Sequence, residues 1–387
     1  MKIAFFSNYF NHHQKPLADA FNSIVGVEYY FVAISSIPEF RKNLGYKEMT
    51  DYYVIDTTIS DANKDKAIEL SKTADVAIYM AGRTEEYIIP RLKLHKLTFE
   101  VSERRFKRGY INMFSPNLIK HQLTYFRYGR NVPFYMLCCS AYAANDYNFL
   151  SSFVNRCFKW AYFTKVDESF KVEASKRDAS TSETTPLMWC GRFLKWKHPE
   201  LPVLMAAKLK REGYKFVLDM YGNGDELEPT KTLATKLGCG DVINFCGNHP
   251  NEIILDAMRN HKIFLFTSDR HEGWGAVANE SMSNGCALVG SESIGSVPYL
   301  VKDGINGMIY KGTDVDSLTE KVRFLLDNPN ALEQMRLEAV RTMQEVWSPK
   351  TASARFLELT EELLKGNDTP FIEGPCSKAQ PYRYNTL

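Results

Sequence analysis

Residues 267–285, TSDRHEGWGAVANESMSNG, constrain the fold of this chain more than any other stretch. They lie between IFLF (263–266) and ALVGS (287–291), two short apolar runs that indicate buried strands. Between these runs, residues 276–284 contain few helix breakers and end before Gly285, a natural helix C-cap. The stretch therefore predicts a strand, a loop, a helix and a second strand of an α/β sheet.

The loop of this unit suits an anionic ligand, because loops that lead from a parallel strand into a helix present unpaired N–H groups. Gly273 and Gly275 allow a ligand to approach the backbone, and Trp274 between them offers an apolar wall. Glu272 precedes the helix, and Glu280 inside it still reaches the pocket, since helical side chains lean toward the N-terminus. A ribose or sugar diol is the ligand that best explains acids near an anion site. The alternative is a capping acid and a solvent-facing helix residue.

Composition narrows the class of protein. The chain has 387 residues, enough for two domains, and a formal charge of +2 without the basic excess of a nucleic-acid-binding protein. Its eight cysteines are scattered and have no CxxC spacing, which favours reduced thiols over disulfides or a zinc site. The N-terminal apolar run is too short for a signal sequence, and no run approaches the ~20 apolar residues of a membrane-spanning helix. These features predict a cytoplasmic protein.

Strand and helix patterns alternate along both halves of the chain. In the first half, apolar runs at 2–7, 27–34, 75–80, 98–103 and 133–140 alternate with helical patterns, of which the clearest are 62–72 and 85–95. The polar, Ser/Thr-rich segment 165–185 is typical of a connection, and a second strand-helix series begins at Pro186. This alternation predicts parallel sheets covered by helices.

The spacing of Glu272 and Glu280 in a strand-EGxG-helix context resembles the donor-site motif of retaining GT-B glycosyltransferases, specifically glycosyltransferase family 4. The resemblance covers residues 186–365 and includes four further segments in the family's order: GRFLKWK (191–197), YGNGDELE (221–228), NFCG (244–247) and SVPYLVKDGINGMIY (296–310). The chain departs from the family at Asn279 and Ser281, where an aliphatic residue and Ala are more usual, and at His198, where glycine usually follows the lysine.

The resemblance implies a GT-B fold of class α/β, in which two doubly wound Rossmann-like domains face each other across a cleft. Residues 1–168 would form the acceptor-side domain and residues 186–347 the nucleotide-sugar donor domain. A C-terminal helix at 348–365 would cross back to the first domain. Residues 366–387 contain three prolines and no periodicity, so we expect an extended or disordered tail.

The resemblance also implies roles for residues of the donor half. Arg192 and Lys197 would bind the donor diphosphate and stabilise the charge of the leaving group, whereas the alternative is two surface cations. Glu272 would orient the donor sugar or act near its reacting carbon, and Glu280 would bind the ribose. The remaining donor-binding candidates are Gly273, Trp274, Gly275, Ala276 and Val277, with Gly222 in a tight turn and Asn248 near the nucleobase. The family generally needs no bound metal, so the resemblance implies neither a metal nor a cofactor.

The acceptor side is less defined. His12 and His13 lie in the loop after the first strand and could contact a diphosphate or an acceptor hydroxyl, or could be surface polar residues. Related enzymes often have a histidine after the strand at 98–102. Here Glu103 occupies that loop, and the alternative to an acceptor role is a structural salt bridge. Tyr142 begins a helix after the run at 133–140 and would face the cleft.

Residues 91–130 contain ten Lys and Arg residues but only two acids, Glu100 and Glu103, a local excess of 10 − 2 = +8. Aromatic residues are interleaved, as in LTYFRYGRNVPFY (123–135). The pattern predicts a surface for anionic lipid headgroups or a lipid-diphosphate acceptor, and hence peripheral contact with the inner membrane face. The alternative is an ordinary solvated face with buried aromatics.

The resemblance, together with the basic aromatic region, implies a retaining hexosyltransferase. It would move a sugar from a UDP- or GDP-sugar to a hydroxyl of a glycan or lipid-linked acceptor, in bacterial capsule, O-antigen or other surface polysaccharide synthesis. Two rival functions stay open: a nucleotide-sugar 2-epimerase of GT-B fold, and a non-catalytic nucleotide-sugar-binding module.

Overall fold

The computed structural model of the chain describes residues 1–42, 47–80, 84–172 and 184–382. The chain divides into two compact units. The first consists of Met1–Lys165 with Trp347–Leu387, and the second of Val166–Val346. Each unit is built on one parallel sheet covered by helices, so the predicted class of two Rossmann-like α/β units is confirmed. The predicted connection at 165–185 includes residues 173–183, which lie outside the described part of the chain.

The described residues of the first unit form seven strands: β1 (Lys2–Ser7), β2 (Glu28–Ala33), β3 (Val54–Asp56), β4 (Val76–Met80), β5 (Thr98–Ser102), β6 (Phe134–Cys138) and β7 (Cys157–Lys159). They form one sheet in the order β3-β2-β1-β4-β5-β6-β7, with parallel neighbours throughout. Its helices are α1 (Lys15–Asn22), α2 (Glu39–Lys42), α3 (Asp61–Thr73), α4 (Glu85–Lys93), α5 (Pro116–Thr124), α6 (Ala143–Phe149) and, from the end of the chain, α14 (Pro349–Leu364). Short irregular helices span Tyr110–Phe114 and Tyr125–Gly129.

Sequence periodicity predicted the long inner strands of this sheet but missed its two edges. The inner strand β1 is apolar from Ile3 to Phe6, and Ile3, Ala4 and Phe6 are fully buried, because helices cover both faces of a parallel sheet. The two strands without a prediction, β3 and β7, have three residues each and lie at opposite edges of the sheet. Strands this short are too brief for a pattern to mark them.

Helix α14 packs within the first unit although it follows the second unit in sequence. Its Phe356 is fully buried, and the ring lies 4.9 Å from that of Phe99, 5.6 Å from that of Phe21 and 5.7 Å from that of Trp160. These rings come from β5, from α1 and from the segment after β7. The core of the first unit therefore includes a residue from the end of the chain.

The tail was expected to be extended or disordered. In its described part, which reaches residue 382, bends and turns at 372–377 lead into a short stretch, residues 376–379, that pairs with β7. The backbone N–H of Lys159 donates to Ser377 O at 2.7 Å, and that of Ala379 donates to Cys157 O at 3.0 Å. Because β7 is an edge strand, its outer N–H and C=O groups are available to a passing segment. Residues 383–387 of the predicted tail lie outside the described residues.

In the second unit, the part that the structure describes has six strands: β8 (Thr185–Cys190), β9 (Phe216–Tyr221), β10 (Ile243–Gly247), β11 (Ile263–Phe266), β12 (Ala287–Ser291) and β13 (Gly307–Tyr310). Their order is β10-β9-β8-β11-β12-β13, again with parallel neighbours. Its helices are α7 (Glu200–Arg211), α8 (Leu227–Lys236), α9 (Asn251–Asn260), α10 (Val277–Ser283), α11 (Val297–Leu300), α12 (Val315–Asp327) and α13 (Pro329–Arg341), with short helices at Lys195–Lys197, Gly240–Val242 and Thr342–Val346. The strand-loop-helix-strand unit predicted at 263–291 is therefore present as β11, α10 and β12.

Two global expectations are also tested by the described residues. All eight cysteines are free thiols, and six of them are buried. Within the described ranges, no helix combines the length and the apolar character needed to cross a membrane.

Candidate active site

The candidate donor residues gather at one edge of the sheet in the second unit. Strands β8 and β11 are neighbours, and both lead into loops at their carboxyl ends, at residues 191–198 and 267–276. Because parallel strands point the same way, these two loops leave the sheet side by side. This edge is where open α/β sheets place their ligands.

Lys197 and Glu272 meet across the two loops. The Lys197 Nζ forms an ion pair with Glu272 Oε2, and their side chains are only 14% and 12% exposed. Ser268 Oγ donates a second hydrogen bond to the same carboxylate oxygen at 3.0 Å. A charge-assisted pair in such a sheltered place is stronger than one at the surface. The structure thus brings together two of the three predicted catalytic residues.

Hydrogen bonds to the backbone carbonyl groups of residues 196 and 197 hold the loop that carries Lys197 in place. Thr267 Oγ1 donates to Lys197 O at 2.7 Å and accepts from the buried Trp189 Nε1 at 2.9 Å. The N–H of Asp269 donates to Trp196 O at 3.0 Å. Sequence reasoning did not identify Thr267 or Asp269, because a loop-to-loop contact between residues about seventy positions apart leaves no local signal.

Arg192, the third predicted catalytic residue, begins the same loop. Its side chain is exposed, and it forms no ion pair with any residue that the structure describes. Its guanidinium therefore remains available to an incoming anion, whereas Lys197 already has a carboxylate partner.

The loop requires glycine at residue 275. Its φ is +81°, and a Cβ at this position would lie 2.3 Å from Phe266 Cζ and 3.2 Å from Glu272 Cδ. A side chain would therefore collide with the ring of β11 and press on the Glu272 carboxyl. Gly273 is buried beside it, Ala276 precedes α10, and Val277 is its first residue. The amide of Val277 has no intrahelical acceptor, as expected for a first helical residue.

The carboxyl group of Glu280 is buried, although the residue as a whole is partly exposed to solvent. Burial raises its pKa to about 7, against a smaller opposing effect of a hydrogen bond from Asn251. Cys190, at the end of β8, is close enough for the Glu280 charge to add to the effect of burial in raising the thiol pKa to about 12. Glu280 therefore lies at the same sheet edge as the Lys197 loop and is partly protonated near neutral pH.

Trp274 corrects one expectation. Its side chain was expected to offer an apolar wall, but it is fully buried, and Nε1 donates to Asn279 Oδ1 at 2.7 Å. A buried indole N–H needs a hydrogen-bond acceptor, which explains an amide at residue 279, where the family more often has an aliphatic residue. Only the backbone of Trp274 is left to contact a ligand.

Gly222 makes the turn after β9 possible. Its φ is +126°, and a Cβ would lie 1.9 Å from Gly191 O, so the backbone of this turn touches the start of the Lys197 loop. Its N–H donates to Gly247 O at 2.7 Å. Asn248, the predicted nucleobase residue, follows this glycine and is exposed.

In the first unit, His12 and His13 occupy the loop after β1, with ring centroids 4.0 Å apart. Burial, followed by the nearby charges of His12 and Arg41, lowers the pKa of His13 to about 4. Burial also lowers the pKa of His12. Both rings are therefore neutral at physiological pH and suited to hydroxyl groups rather than to binding phosphate by charge.

Glu103 is part of a network of ion pairs. It pairs with Lys107 and accepts a hydrogen bond from Tyr162 Oη at 3.0 Å. It also lines a polar cavity of about 660 Å³ in the first unit, together with Glu100, Arg105 and other polar side chains. The salt bridge foreseen as the alternative role of Glu103 is thus present, and the residue also faces a space that could receive a ligand.

The expectation that Tyr142 faces a cleft is wrong, because only 2% of this residue is exposed. Its ring lies beneath the Arg104 guanidinium, with 4.5 Å between the guanidinium carbon and the ring centroid. Tyr142 lies just before α6 and is buried, and an aromatic ring gains more from burial than from contact with solvent.

The basic region at 91–130 is only partly a surface. Arg91 is fully buried, and its guanidinium donates to carbonyl oxygens that include Leu97 O at 2.6 Å and Ser71 O at 2.8 Å. Arg105 Nε donates to Tyr147 Oη at 2.6 Å. These two arginines were counted as part of the basic surface, but they stabilise the fold instead. The exposed cations of the region are Lys93, Arg108, Lys120, Arg127 and Arg130.

Metal binding was expected to be absent. In the part of the chain that the structure describes, no group of three or more His, Cys, Asp or Glu side chains is arranged to hold a metal ion. A reaction independent of metal stays a prediction.

Comparison with known proteins agrees with the geometry. Residues 173–341 match the family model described as Glycosyl transferases group 1. A GDP-mannose-dependent alpha-(1-6)-phosphatidylinositol monomannoside mannosyltransferase of Mycolicibacterium smegmatis is 27% identical over 181 residues, 45% of this chain and 47% of that protein. An MMP alpha-(1->4)-mannosyltransferase of Mycolicibacterium hassiacum is 27% identical over 137 residues, 35% of this chain and 33% of that protein. The match thus spans less than half the length of these curated relatives.

Solved structures resemble nearly the whole chain. Anabaena Alr3699/HepE in complex with UDP has a TM-score of 0.65 at 12% identity, with 95% of this chain and 100% of that chain covered. Sucrose-phosphate synthase of Thermosynechococcus elongatus has a TM-score of 0.66 at 13% identity, with the same coverage. At such identities the likeness establishes the fold alone. The chain therefore has the GT-B fold, and its residues 173–341 are similar to the group 1 glycosyl transferases.

Proposed function

We propose that this chain is a retaining glycosyltransferase of family 4. It moves a sugar from a UDP- or GDP-sugar to a hydroxyl of a glycan or lipid-linked acceptor. The observation that carries the proposal is the sheltered ion pair of Lys197 and Glu272 at the carboxyl edge of the sheet. Arg192 lies on the same loop and has no ion-pair partner among the described residues. This arrangement suits a ligand that is anionic at one end and rich in hydroxyl groups at the other.

The two cations suit the leaving group of such a reaction. When the glycosidic bond breaks, the nucleoside diphosphate gains negative charge, and fixed cations in a partly desolvated site stabilise it. Lys197 would exchange part of its bond to Glu272 for a diphosphate oxygen, while Arg192 approaches from the exposed side. The Glu272 carboxylate would then accept hydrogen bonds from the donor sugar or act near its reacting carbon.

Glu280 suits the ribose of the donor. A second full negative charge beside a diphosphate would be repelled, whereas a carboxyl with a pKa near 7 is partly neutral. It can therefore donate or accept a hydrogen bond to a ribose hydroxyl. Backbone groups of residues 273–277 would serve the phosphates and the sugar hydroxyls, and no metal would be needed.

The names of similar proteins support two nucleobases for the donor, guanine and uracil. The mycobacterial relative is named as GDP-mannose-dependent, and several solved structures with this fold contain UDP. The base is set by the shape of the pocket near Gly222 and Asn248 and by backbone contacts, so both donors are candidates. We further propose that the product belongs to bacterial capsule, O-antigen or another surface polysaccharide.

On the acceptor side, we propose that the neutral rings of His12 and His13 and the carboxylate of Glu103 contact acceptor hydroxyls. Neutral imidazoles and a carboxylate can each accept a hydrogen bond from a sugar hydroxyl. The polar cavity that Glu103 lines has room for a sugar unit.

A lipid-linked acceptor is supported by exposed apolar side chains on α5 and on the short helix before it, a set that we define as the α5 face. Its large side chains are Tyr110, Ile111, Phe114, Ile119 and Leu123, which are 62%, 76%, 72%, 46% and 64% exposed. Residues 104–145 contain no Asp or Glu, and Lys120 is the one exposed cation among them with an ion pair in the described structure, to Glu85. Two copies of this face would repel each other, whereas an anionic bilayer would attract it. We therefore propose that the chain works at the inner face of the cell membrane.

The α5 face predicts binding to vesicles that contain phosphatidylglycerol, weakening as salt rises, and little binding to vesicles of phosphatidylcholine alone. The double variant Ile111→Ser with Phe114→Ser should lose this binding in a sedimentation assay. Val25→Ser is a matched control, because Val25 is fully exposed but lies outside the face. Equal sedimentation of the double variant and the parent protein would contradict the membrane proposal and leave the transfer reaction untouched.

The reaction itself is tested by a thermal-shift screen with UDP, GDP, ADP and CMP, with and without magnesium, followed by transfer assays. We expect one nucleoside diphosphate to raise the melting temperature without metal, because a ligand that binds only the native state stabilises it. Conversion of the donor sugar without an acceptor would favour an epimerase, and nucleotide binding without any turnover would favour a binding module. No shift with any nucleotide would overturn the assignment.

A further inference from the structure

His198 has an unusual backbone for a residue with a side chain. It follows the short helix Lys195–Lys197, with φ 50° and ψ 55° in the left-handed region, where glycine is favoured. The family usually has glycine after the lysine. A histidine kept in this conformation needs a side-chain contact that compensates for the unfavourable backbone.

The imidazole of His198 lies between two carboxylates. Its Nδ1 is 2.7 Å from Glu200 Oε1 in the first turn of α7, and its Nε2 is 3.4 Å from Asp269 Oδ2 in the loop after β11. The Glu200 contact is local in sequence. The Asp269 contact joins the loop of Lys197 to the loop of Glu272.

Asp269 contacts the Lys197 loop at two points and its own loop at a third. Its N–H donates to Trp196 O at 3.0 Å, and its O accepts from Glu272 N at 3.1 Å. Its side chain contacts His198. The residues on both sides of Lys197 are therefore bound to one residue, which also fixes the backbone of Glu272. A shift of Asp269 would move both members of the ion pair.

The opposite charges of His198 and Asp269 strengthen the contact between their side chains. Hydrogen bonds to Asp269 and to Glu200 raise the pKa of His198 to about 9, against the opposing effect of burial. Burial tends to raise the pKa of Asp269, but hydrogen bonds from His198 and from His271 lower it to about 2. Both partners are therefore charged across the physiological pH range.

We propose that His198 and Asp269 form a positioning pair that fixes the two loops against each other, and so places the Lys197 ammonium at the donor diphosphate. The inference rests on the proposed function. Neither residue touches the reacting atoms. Their effect on the rate comes through the placement of Lys197, whose charge matters most when the leaving group becomes negative.

The first test is His198→Gly. Glycine adopts the left-handed backbone without strain, so the fold should persist while the imidazole is lost. We expect kcat for sugar transfer to fall roughly 10- to 100-fold, the scale of a small misplacement of a catalytic group. The affinity for the nucleoside diphosphate found in the thermal-shift screen should change by less than about threefold, since Arg192 and Glu280 keep their places.

His95→Gly is the matched control. His95 is also a histidine with a left-handed backbone, φ 54°, but it is exposed and belongs to the first unit. The same substitution there should leave kcat unchanged. His198→Asn is the second variant, because asparagine tolerates this backbone without adding the flexibility of glycine. A kcat of His198→Asn within about twofold of the parent protein would overturn the proposal.

Hydrogen exchange measures the connection independently of turnover. In His198→Gly and His198→Asn, amides of residues 192–198 and 267–275 should exchange faster, while His95→Gly should leave both loops unchanged. Unchanged exchange in both His198 variants would overturn the positioning role. If the parent protein transferred no sugar, the proposed function would fail, and the exchange data would still decide whether the pair fixes the loops.

A pH profile gives the last readout. The groups that face His198 are Glu200 from α7 and Asp269 from the other loop, with His271 on the far side of Asp269. Because the pKa of His198 is raised, its charge is present at lower pH and is lost as pH rises through about 9. The kcat of the parent protein should therefore fall across that range, whereas the already slow His198→Gly variant should lack this step. Identical profiles would contradict the proposal.

Discussion

At the residue scale, the two cations of the Lys197 loop differ in what surrounds them. Lys197 already has a carboxylate partner, and its side chain is 14% exposed. Arg192 is exposed and forms no ion pair with a described residue. A side chain with few contacts contributes little to folding, so removal of Arg192 should affect chemistry rather than stability.

Arg192→Ala should reduce turnover by roughly two to three powers of ten, the scale of one lost contact to transition-state charge. Its free energy of unfolding should change by less than about 0.5 kcal/mol, since the side chain lies at the surface. Steady-state transfer assays and urea denaturation measure the two effects. Lys195→Ala, an exposed cation of the same loop, is the control and should keep full activity. An Arg192→Ala enzyme as fast as that control would contradict the assigned role.

Glu280 predicts an unusual dependence of stability on pH. Its folded-state pKa of about 7 lies above the ordinary value of 4.5. Between these values the folded state binds a proton that the unfolded state has lost, so stability is highest below pH 4.5 and falls as pH rises to about 7. The loss is on the order of 1 to 3 kcal/mol.

Glu280→Gln removes this ionisation, so the variant should be more stable than the parent protein at pH 8 and about equally stable at pH 4, below both pKa values. Denaturation at the two pH values measures the difference. Glu320→Gln, an exposed acid on α12, should show no such change. Because the side-chain amide is a poorer acceptor for a ribose hydroxyl than a carboxylate, nucleotide binding should weaken in Glu280→Gln and more strongly in Glu280→Ala. Equal nucleotide binding by Glu280→Ala and the parent protein would contradict the proposal that Glu280 binds the ribose.

At the scale of elements, the site depends on strand ends that approach closely. The turn after β9 touches Gly191 of the turn after β8, and a Cβ on Gly222 would lie 1.9 Å from Gly191 O. The neighbouring loops therefore fit together only if these positions lack side chains. A pattern of glycines indicates a tight turn in the sequence, but only the fold reveals which backbone it must clear.

Gly222→Ala should destabilise the second unit by about 2 to 4 kcal/mol, because it adds a backbone clash to an unfavourable φ of +126°. Gly238→Ala is the matched control. Its φ is +67°, but nothing lies within 4 Å of the added methyl group, so its cost should be only about 1 kcal/mol. Chemical denaturation of both variants tests the difference. Equal costs would mean that the turn can shift away from Gly191.

The donor element also shows where prediction from sequence succeeds. The apolar runs of β11 and β12 and the Gly285 cap predicted the strand-loop-helix-strand unit correctly, because these signals are local. The Trp274–Asn279 hydrogen bond was missed, although the departure of Asn279 from the family pattern was visible. The sequence alone does not show that the Asn279 amide accepts a hydrogen bond from the Trp274 indole, because the two groups meet only when the helix has formed.

At the scale of the molecule, the two units differ in how much of the chain each needs. The second unit is continuous, Val166–Val346, and contains every donor-site candidate. The first unit needs Trp347–Leu387 as well, because Phe356 completes its core. A fragment of residues 1–165 therefore lacks part of its own interior.

We expect the fragment 166–346 to unfold cooperatively and to bind the same nucleoside diphosphate as the full chain. The fragment 1–165 should not show cooperative unfolding, since loss of a large buried aromatic alone costs about 3 to 5 kcal/mol. Circular dichroism during heating measures both. Phe356→Ala in the full chain is the companion variant and should lower the melting temperature. Cooperative unfolding of 1–165 would show that α14 is dispensable for the first core.

The sequence by itself determined the α/β class and the long inner strands, because periodicity and glycine turns act locally. Its resemblance to family 4 supplied the donor-site candidates at 192, 197, 272 and 280. Tertiary structure decided the rest. In the folded chain the side chains of Arg91 and Tyr142 are buried, and the buried Trp274 ring cannot contact a ligand. Burial also raises the pKa of Glu280. The fold brought His198 to Asp269. Burial and contacts between distant loops depend on how the whole chain packs, and no local pattern records them.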